Sequence, residues 1–198
     1  MTALAQFCVV LLHSPLGTVA DWGSLPDDLA DRGVETVAVT VTDDDRPPYA
    51  ARYVARAALE VAAAAPQRPL LLVAAGAAGP LVPAVAAAQR AAHRQVAGYL
   101  LVDALLPQSG TPTRAELAAA QQHEDPPVRP PDFFTEPLPM TADWPDAPCG
   151  YLRTGDAYAH PARLAELRSW PVCHITDMPL VDALTVLVTQ VWPESSQA

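Results

Sequence analysis

The strongest constraint on this chain is an alternation. Short, continuously apolar runs are separated by stretches with helical periodicity. The first run is Phe7 to Leu12 ("FCVVLL"), followed by a helical stretch from Asp21 to Arg32 and a second run, Val34 to Val41 ("VETVAVTV"). A second helix is expected over Tyr49 to Ala65, where Tyr53, Val54, Ala57, Ala58 and Val61 share one face. "PLLLVA" from Pro69, the helix after Gly79 and Val96 to Asp103 ("VAGYLLVD") repeat the scheme. Cys149 to Thr154, a helix over Pro161 to Arg168, Pro171 to Ile175 and a last helix complete it. In that last helix Leu180, Val181, Leu184, Val188 and Val191 fall on one face. Strands that are apolar throughout need cover on both faces, which is the situation of a parallel sheet. Right-handed crossovers then predict a doubly wound α/β sandwich with a mostly parallel sheet of about six strands.

Size and charge narrow the class further. A chain of 198 residues suits one domain, here residues 1–198. No apolar run reaches the ~20 residues needed to span a bilayer. The opening "MTALAQFCVVLLHSP" has no basic region before its apolar part, so it reads as a first core strand rather than a signal peptide. Three scattered cysteines fit a reduced, cytoplasmic setting better than a disulfide framework. A formal charge of −10 without a Lys/Arg cluster argues against nucleic acid and anionic membranes as partners. A small-molecule ligand is the expected partner. The oligomeric state is open, a homodimer included.

One segment breaks the alternation. Pro107 to Pro148 is rich in proline and holds one convincing helical piece, Arg114 to His123. Proline removes backbone donors and biases the preceding residue away from helix, so most of this segment is expected to be extended loop. Residues 107–148 are therefore read as a cap, or lid, over the sheet, because so long a loop in a compact domain is commonly functional; a flexible insertion is the alternative. Phe133, Phe134, Leu138, Met140 and Trp144 are expected to supply its apolar underside.

In an open parallel sheet, ligands sit beyond the carboxyl ends of the strands, where strand order reverses. The residues following each strand are thus "HSPLGTVADW", "TDDDRPPY", "AGAAGP", "DALLP", "GDAY" and "TDMP".

These pieces, in order and at matching spacing, resemble compact α/β-hydrolase-fold proteins of actinobacteria. The resemblance spans nearly the whole chain and rests on "VLLHSPLGTVADW", "LVAAGAAGPLVPAV", "GYLLVDALLP", "CGYLRTGDAY" and "SWPVCHITD". Similar proteins usually read Val-Gly-His-Ser-x-Ala-Gly-Pro at the turn after the third strand and Gly-His-Leu-His after the last. On that pattern Gly76 holds the serine position and Ala75 that of the preceding histidine. The segment after Ile175 has no histidine. The triad acid would survive as Asp103 or Asp156.

The resemblance thus implies a degenerate member of the family. A strained turn normally projects the serine oxygen at the substrate while histidine removes its proton. Glycine forms no acyl-enzyme, and without histidine the usual base for water is missing. A misplaced elbow is the plainer alternative. A phosphate-cradling turn at Gly76 and Gly79 is a further, weaker alternative, because the fingerprint's full glycine pattern belongs after the first strand. The turn itself is expected to persist, with the amides of Leu16 and Ala77 as an oxyanion hole.

His13 and Asp103 are the leading candidates for acid/base catalysis, each with a plainer role in orienting or capping a loop. Ser14, Leu16, Gly76, Ala77, Asp156, Tyr158, Phe133, Phe134 and Trp144 are candidates for binding ligand. Asp43 to Asp45 read as a solvated loop, His174 as structural, and Cys8, Cys149 and Cys173 as inert. No histidine or cysteine spacing supports a metal, and no cofactor is expected. Two main readings remain. One is an enzyme that binds an apolar, polyketide-like carbonyl compound and promotes cyclisation, isomerisation or elimination without a covalent intermediate. The other is a pseudoenzyme that binds a ligand or a partner. A hydrolase with displaced catalytic residues is the third and weaker reading.

Overall fold

The computed structural model describes residues 3–141 and 143–193. Six strands form: β1 (Cys8–Leu12), β2 (Glu35–Val39), β3 (Leu70–Gly76), β4 (Val96–Ala104), β5 (Cys149–Arg153) and β6 (Val172–His174). They make one sheet in the order β2-β1-β3-β4-β5-β6, and every neighbouring pair is parallel. Strand order reverses between β1 and β3, and a crevice opens beyond their carboxyl ends, the place where open α/β sheets generally bind ligands.

Side chains alternate between the two faces, as the pleat requires. Val10, Leu12, Leu72, Ala74, Tyr99, Leu101 and Tyr151 pack beneath α2 (Tyr49–Ala64), α3 (Val82–Ala91) and α6 (Ala159–Leu167). Val9, Leu11, Leu71, Val73, Leu100 and Leu152 pack against α1 (Leu25–Asp31) and α7 (Leu180–Val191). Every residue of β1 is buried, as its unbroken apolar run requires.

The expected first helix is split. A 3-10 turn over Val19–Trp22 precedes α1, because the chain breaks direction at Gly23 and Ser24. Among the described residues no helix is long and apolar enough to cross a membrane.

The segment 107–148 holds two short helices, α4 (Arg114–Ala120) and α5 (Pro131–Thr135). Thr113 caps α4, accepting from the Glu116 amide while the Glu116 carboxylate accepts from the Thr113 amide at 2.8 Å, a reciprocal capping box. The segment is stitched to the sheet's carboxyl edge by buried polar contacts. Gln121 brackets Leu106, accepting from its amide at 2.8 Å and donating to its carbonyl at 2.6 Å. Glu136 accepts from the Ala50 amide at the start of α2, satisfying a donor that helix geometry orphans. Arg129 donates to the Pro15 carbonyl at 2.6 and 2.9 Å and to the Asp44 carboxylate at 2.9 Å. The acidic run is therefore not wholly solvated: Asp44 is buried because an arginine more than eighty residues away neutralises it.

The expected apolar underside is partly corrected. Phe133 and Leu138 are buried, but Met140 is exposed. Trp144 instead packs against Tyr99 and Trp170, toward the side of the sheet.

Candidate functional site

The crevice begins at the turn after β3. Gly76 sits there at φ +54, a conformation glycine adopts without the penalty a side chain would bring. A Cβ at Gly76 would lie 3.0 Å from both Cβ and Oγ of Ser14 and 3.5 Å from the Tyr158 hydroxyl oxygen. The space a side chain would occupy is thus bordered by two hydroxyl groups. The Ser14 Oγ accepts from the amides of Leu16 at 3.2 Å and Ala77 at 3.3 Å. The two amides expected to converge do converge, and the oxygen they meet is the protein's own. With both amides donating to it, the Ser14 hydroxyl keeps its proton free to donate outward.

His13 ends β1 but is fully committed. Its Nδ1 donates to the Ser14 carbonyl at 2.8 Å, and its Nε2 accepts from the buried Val41 amide at 3.2 Å. The two bonds require one neutral tautomer and leave neither ring nitrogen for substrate. Tyr53 adds a hydroxyl bond to the His13 carbonyl at 2.5 Å. His13 therefore ties the loop after β1 to the loop after β2. Replacing it with alanine would strand a buried amide and a carbonyl, so His13→Ala should lower unfolding free energy by about 2 kcal/mol. Chemical denaturation checks this; an unchanged midpoint would mean that these bonds carry no stability.

Asp103 is placed by a β-bulge. Ala75 pairs with Val102 and Gly76 with Ala104, so Asp103 is the extra residue on β4, with φ +41. The bulge turns its carboxylate toward β5, where it accepts from the Thr154 amide at 2.9 Å and from the Thr154 hydroxyl.

Tyr158 and Asp125 complete the wall, and His123 packs against both of them. The imidazole of His123 stacks on the Tyr158 ring at 4.2 Å between centroids, and its Nε2 lies 3.4 Å from Asp125. The side chains of His123 and Asp125 are only 8% and 6% exposed. Burial pushes the Asp125 carboxyl above its ordinary range, against the opposing pull of His123 and Arg114. Tyr158 is pushed up to about 12, first by burial and then by the negative charges of Asp125 and Asp103. Its hydroxyl stays protonated at neutral pH and is a donor.

Together these residues enclose a cavity of about 400 Å³, comparable with small-molecule sites. Of the residues singled out in the sequence, His13, Ser14, Leu16, Gly76, Asp103 and Tyr158 line it. The Ala77 amide faces it through Ser14. Four other candidates do not line it. Phe133 is buried against Tyr49 and two arginines. Phe134 borders a separate surface hollow beside α4, and Trp144 a polar hollow beside Trp170. Asp156 is fully exposed and turned toward Arg153. Their apolar or acidic character was readable, but which side of a loop they occupy was not.

Asp21, Trp22 and Asp125 line the cavity without having been singled out in the sequence. Asp21 and Trp22 close the strand-end segment "HSPLGTVADW", which marked them by position alone, and no local pattern marked Asp125 within residues 107–148. No group of three or more His, Cys, Asp or Glu side chains among the described residues is placed to hold a metal ion. Burial raises the Cys8 thiol to about 12 and also raises Cys149 and Cys173, so all three favour the thiol over the reactive thiolate.

No family model matches the chain, and no curated protein matches it by sequence. Solved structures do match. A pyrethroid hydrolase from Sphingobium faniae JZ-2 superposes with a TM-score of 0.63 at 16% identity, covering 93% of this chain and 96% of that one. An extracellular α/β-hydrolase from a Paenibacillus species gives 0.61 at 13% identity, over 93% and 98%. The fold is a reduced α/β-hydrolase fold. The NocB thioesterase domain, solved as a covalent complex with a fluorophosphonate nocardicin G analogue, gives 0.53 at 17% identity, over 94% and 95%. At such identities the likeness carries the fold and no activity.

Proposed function

We propose that the crevice binds an apolar, polyketide-like carbonyl compound and promotes cyclisation, isomerisation or elimination without a covalent intermediate, as a degenerate member of its fold family. One observation carries this reading. At the turn after β3 the amides of Leu16 and Ala77 converge, while Gly76 beside them offers no nucleophile. Such amides stabilise a developing enolate or alkoxide oxygen with little reorganisation. A substrate oxygen would displace the Ser14 hydroxyl from the amides or accept its free proton. Tyr158 would donate a second hydrogen bond, and Asp103, at the same edge, would take up or return the proton. His13 supports the loop in this scheme rather than moving protons itself.

The pseudoenzyme reading is favoured by a different observation: Ser14 already fills the amide pair and His13 is locked by backbone. Binding without turnover is its signature.

The displaced-nucleophile reading would fall to Ser14, yet among the described residues no imidazole hydrogen-bonds to its oxygen. Serine nucleophiles need an adjacent base. Incubation with a fluorophosphonate probe and short p-nitrophenyl esters should therefore give neither labelling nor a burst. Stoichiometric adduct at Ser14, located by peptide mass spectrometry, would overturn the non-covalent reading and establish a displaced nucleophile.

A further inference from the structure

The contact between His123 and Asp125 poses a proton problem. The His123 Nδ1 lies 3.2 Å from the Ala157 carbonyl oxygen, which can only accept, so that nitrogen carries a hydrogen. The Nε2 lies 3.4 Å from the Asp125 Oδ1. A bare imidazole nitrogen facing an ionised carboxylate would set two lone pairs against each other in a nearly closed space. One further proton satisfies the contact, and it has two homes. On Nε2 it makes an imidazolium beside a carboxylate; on Oδ1 it makes a carboxylic acid donating to a neutral imidazole.

Asp125 stands between that proton and the crevice. It lines the cavity, while His123 packs behind it and against the Tyr158 ring. Among the described residues His123 is its one hydrogen-bonding neighbour. The other two lining carboxylates are differently placed. Asp103 has both oxygens engaged by Thr154, and Asp21 accepts from the Thr18 amide at the exposed rim.

The surroundings favour keeping the proton in place. Burial raises the Asp125 carboxyl above the ordinary carboxylate range, against the pull of His123 itself and of Arg114 on α4. Tyr158 faces the pair as an uncharged phenol, and Asp103 is the other carboxylate whose charge reaches it. Glu124, between the two in sequence, is exposed. Two groups this close that share one proton titrate as a single unit.

We infer that Asp125 and His123 form a proton-carrying pair that takes a proton from the carbon next to the carbonyl of the bound compound. The inference rests on the carbonyl-binding reading above and adds the base that begins its chemistry, leaving Asp103 to return a proton. Once the shared proton has left, the Asp125 carboxylate accepts the carbon's proton and His123 shares it. The electrons of the broken C–H bond form the enolate double bond. Negative charge moves onto the oxygen, which faces Ser14 and the amides of Leu16 and Ala77. Asp125 is the catalytic residue and His123, acting through it, a positioning residue. Below the pair's midpoint the shared proton blocks the base, and above it the base is free. The rate therefore rises with pH.

Two small carbon acids test this. The first is beta-tetralone, an apolar ketone whose exchange of hydrogen for deuterium beside the carbonyl, in heavy water, is read by NMR. The second is nitrobenzisoxazole, which has no carbonyl. Loss of its ring C–H proton forms a nitrile, breaks the N–O bond and releases a coloured phenolate. The parent protein should accelerate both over buffer, with rates that climb to a plateau as pH increases. Asp125→Asn should lower the plateau by about 10²-fold or more, the cost of losing a general base. His123→Gln can still donate to the Ala157 carbonyl but removes one of the proton's two homes. The proton is then held less tightly, so the midpoint should move down by about one pH unit or more. A merely structural imidazole would not move it. If Asp125→Asn does not fold, that midpoint decides alone.

If Asp125→Asn keeps the parent's rate, or the midpoint of His123→Gln stays in place, the pair is not the base and the inference fails. Tetralone exchange that is then lost in Asp103→Asn leaves the carbonyl reading standing. If nitrobenzisoxazole opens in a manner that depends on Asp125 while tetralone does not exchange, the carbonyl reading fails and the pair stands. If the parent accelerates neither probe, both are overturned.

Discussion

Gly79→Ala should cost about 3 kcal/mol or more of unfolding free energy, although it adds a single methyl group. A Cβ at Gly79 would fall well inside van der Waals contact with the Leu105 carbonyl oxygen, and next to the Ala104 Cβ at 3.2 Å. Backbone cannot swing away as the end of a side chain can, so the turn after β3 and the end of β4 must separate. Overpacking of this kind typically costs about 1–3 kcal/mol, and a clash with main chain belongs at the top of that range. The same separation would pull at the bond from the Leu105 amide to the Gly76 carbonyl, which fixes the elbow against β4. Gly155→Ala is the matched control, since nothing lies within 4 Å of its added Cβ. Denaturant titrations of the two variants should differ by at least ~3 kcal/mol, with Gly155→Ala near the parent protein. Equal midpoints would mean that the close approach at Gly79 is not a constraint.

That close approach shows where sequence reasoning reaches and where it stops. The strands were legible because a strand buried on both faces must be apolar throughout, and Cys8–Leu12 and Leu70–Val73 are. The sheet sets β3 between β1 and β4, so the residues after these three strands meet at one edge. His13, Asp103 and Tyr158 were legible as residues at strand ends, because topology brings strand ends together. What His13 does there was not legible, since its partners are the Ser14 carbonyl and the Val41 amide, and backbone groups leave no mark in a sequence. The bulge at Asp103 depends on register between strands. Helix α5 was missed because its Pro131 and the prolines beside it read as loop, although proline at a first helical position is favourable. Asp44 was read as solvated because its partner, Arg129, lies far along the chain. Asp125 reaches the crevice through the path of residues 107–148, which no local pattern specifies.

Phe133→Ala should be the more damaging change within residues 107–148, lowering unfolding free energy by about 3–5 kcal/mol. The ring has no exposed surface, meets Tyr49 and Phe134 edge to face, and lies beneath the guanidinium of Arg114 at 4.3 Å. Removing it leaves a cavity beside a buried cation whose Nε and Nη2 already have no partner among the described residues. Burial has already lowered that guanidinium to about 10, so it remains charged at neutral pH and cannot escape the vacancy by losing its proton. Arg129→Ala separates packing from polar attachment. It keeps the Phe133 ring and its nearer contact with Arg114, losing only the more distant guanidinium at 5.4 Å, but leaves the Asp44 carboxylate, whose residue is 4% exposed, without its cation, at a cost of about 3 kcal/mol. It also frees the Pro15 carbonyl, and with it the loop that presents the Leu16 amide. Limited proteolysis distinguishes the consequences. Both variants should be cleaved within residues 107–148 faster than the parent, and faster than in the strands of the sheet. If the segment is instead cut equally fast in parent and variants, it is a flexible insertion, and the wall that Asp125 contributes to the crevice is lost with it.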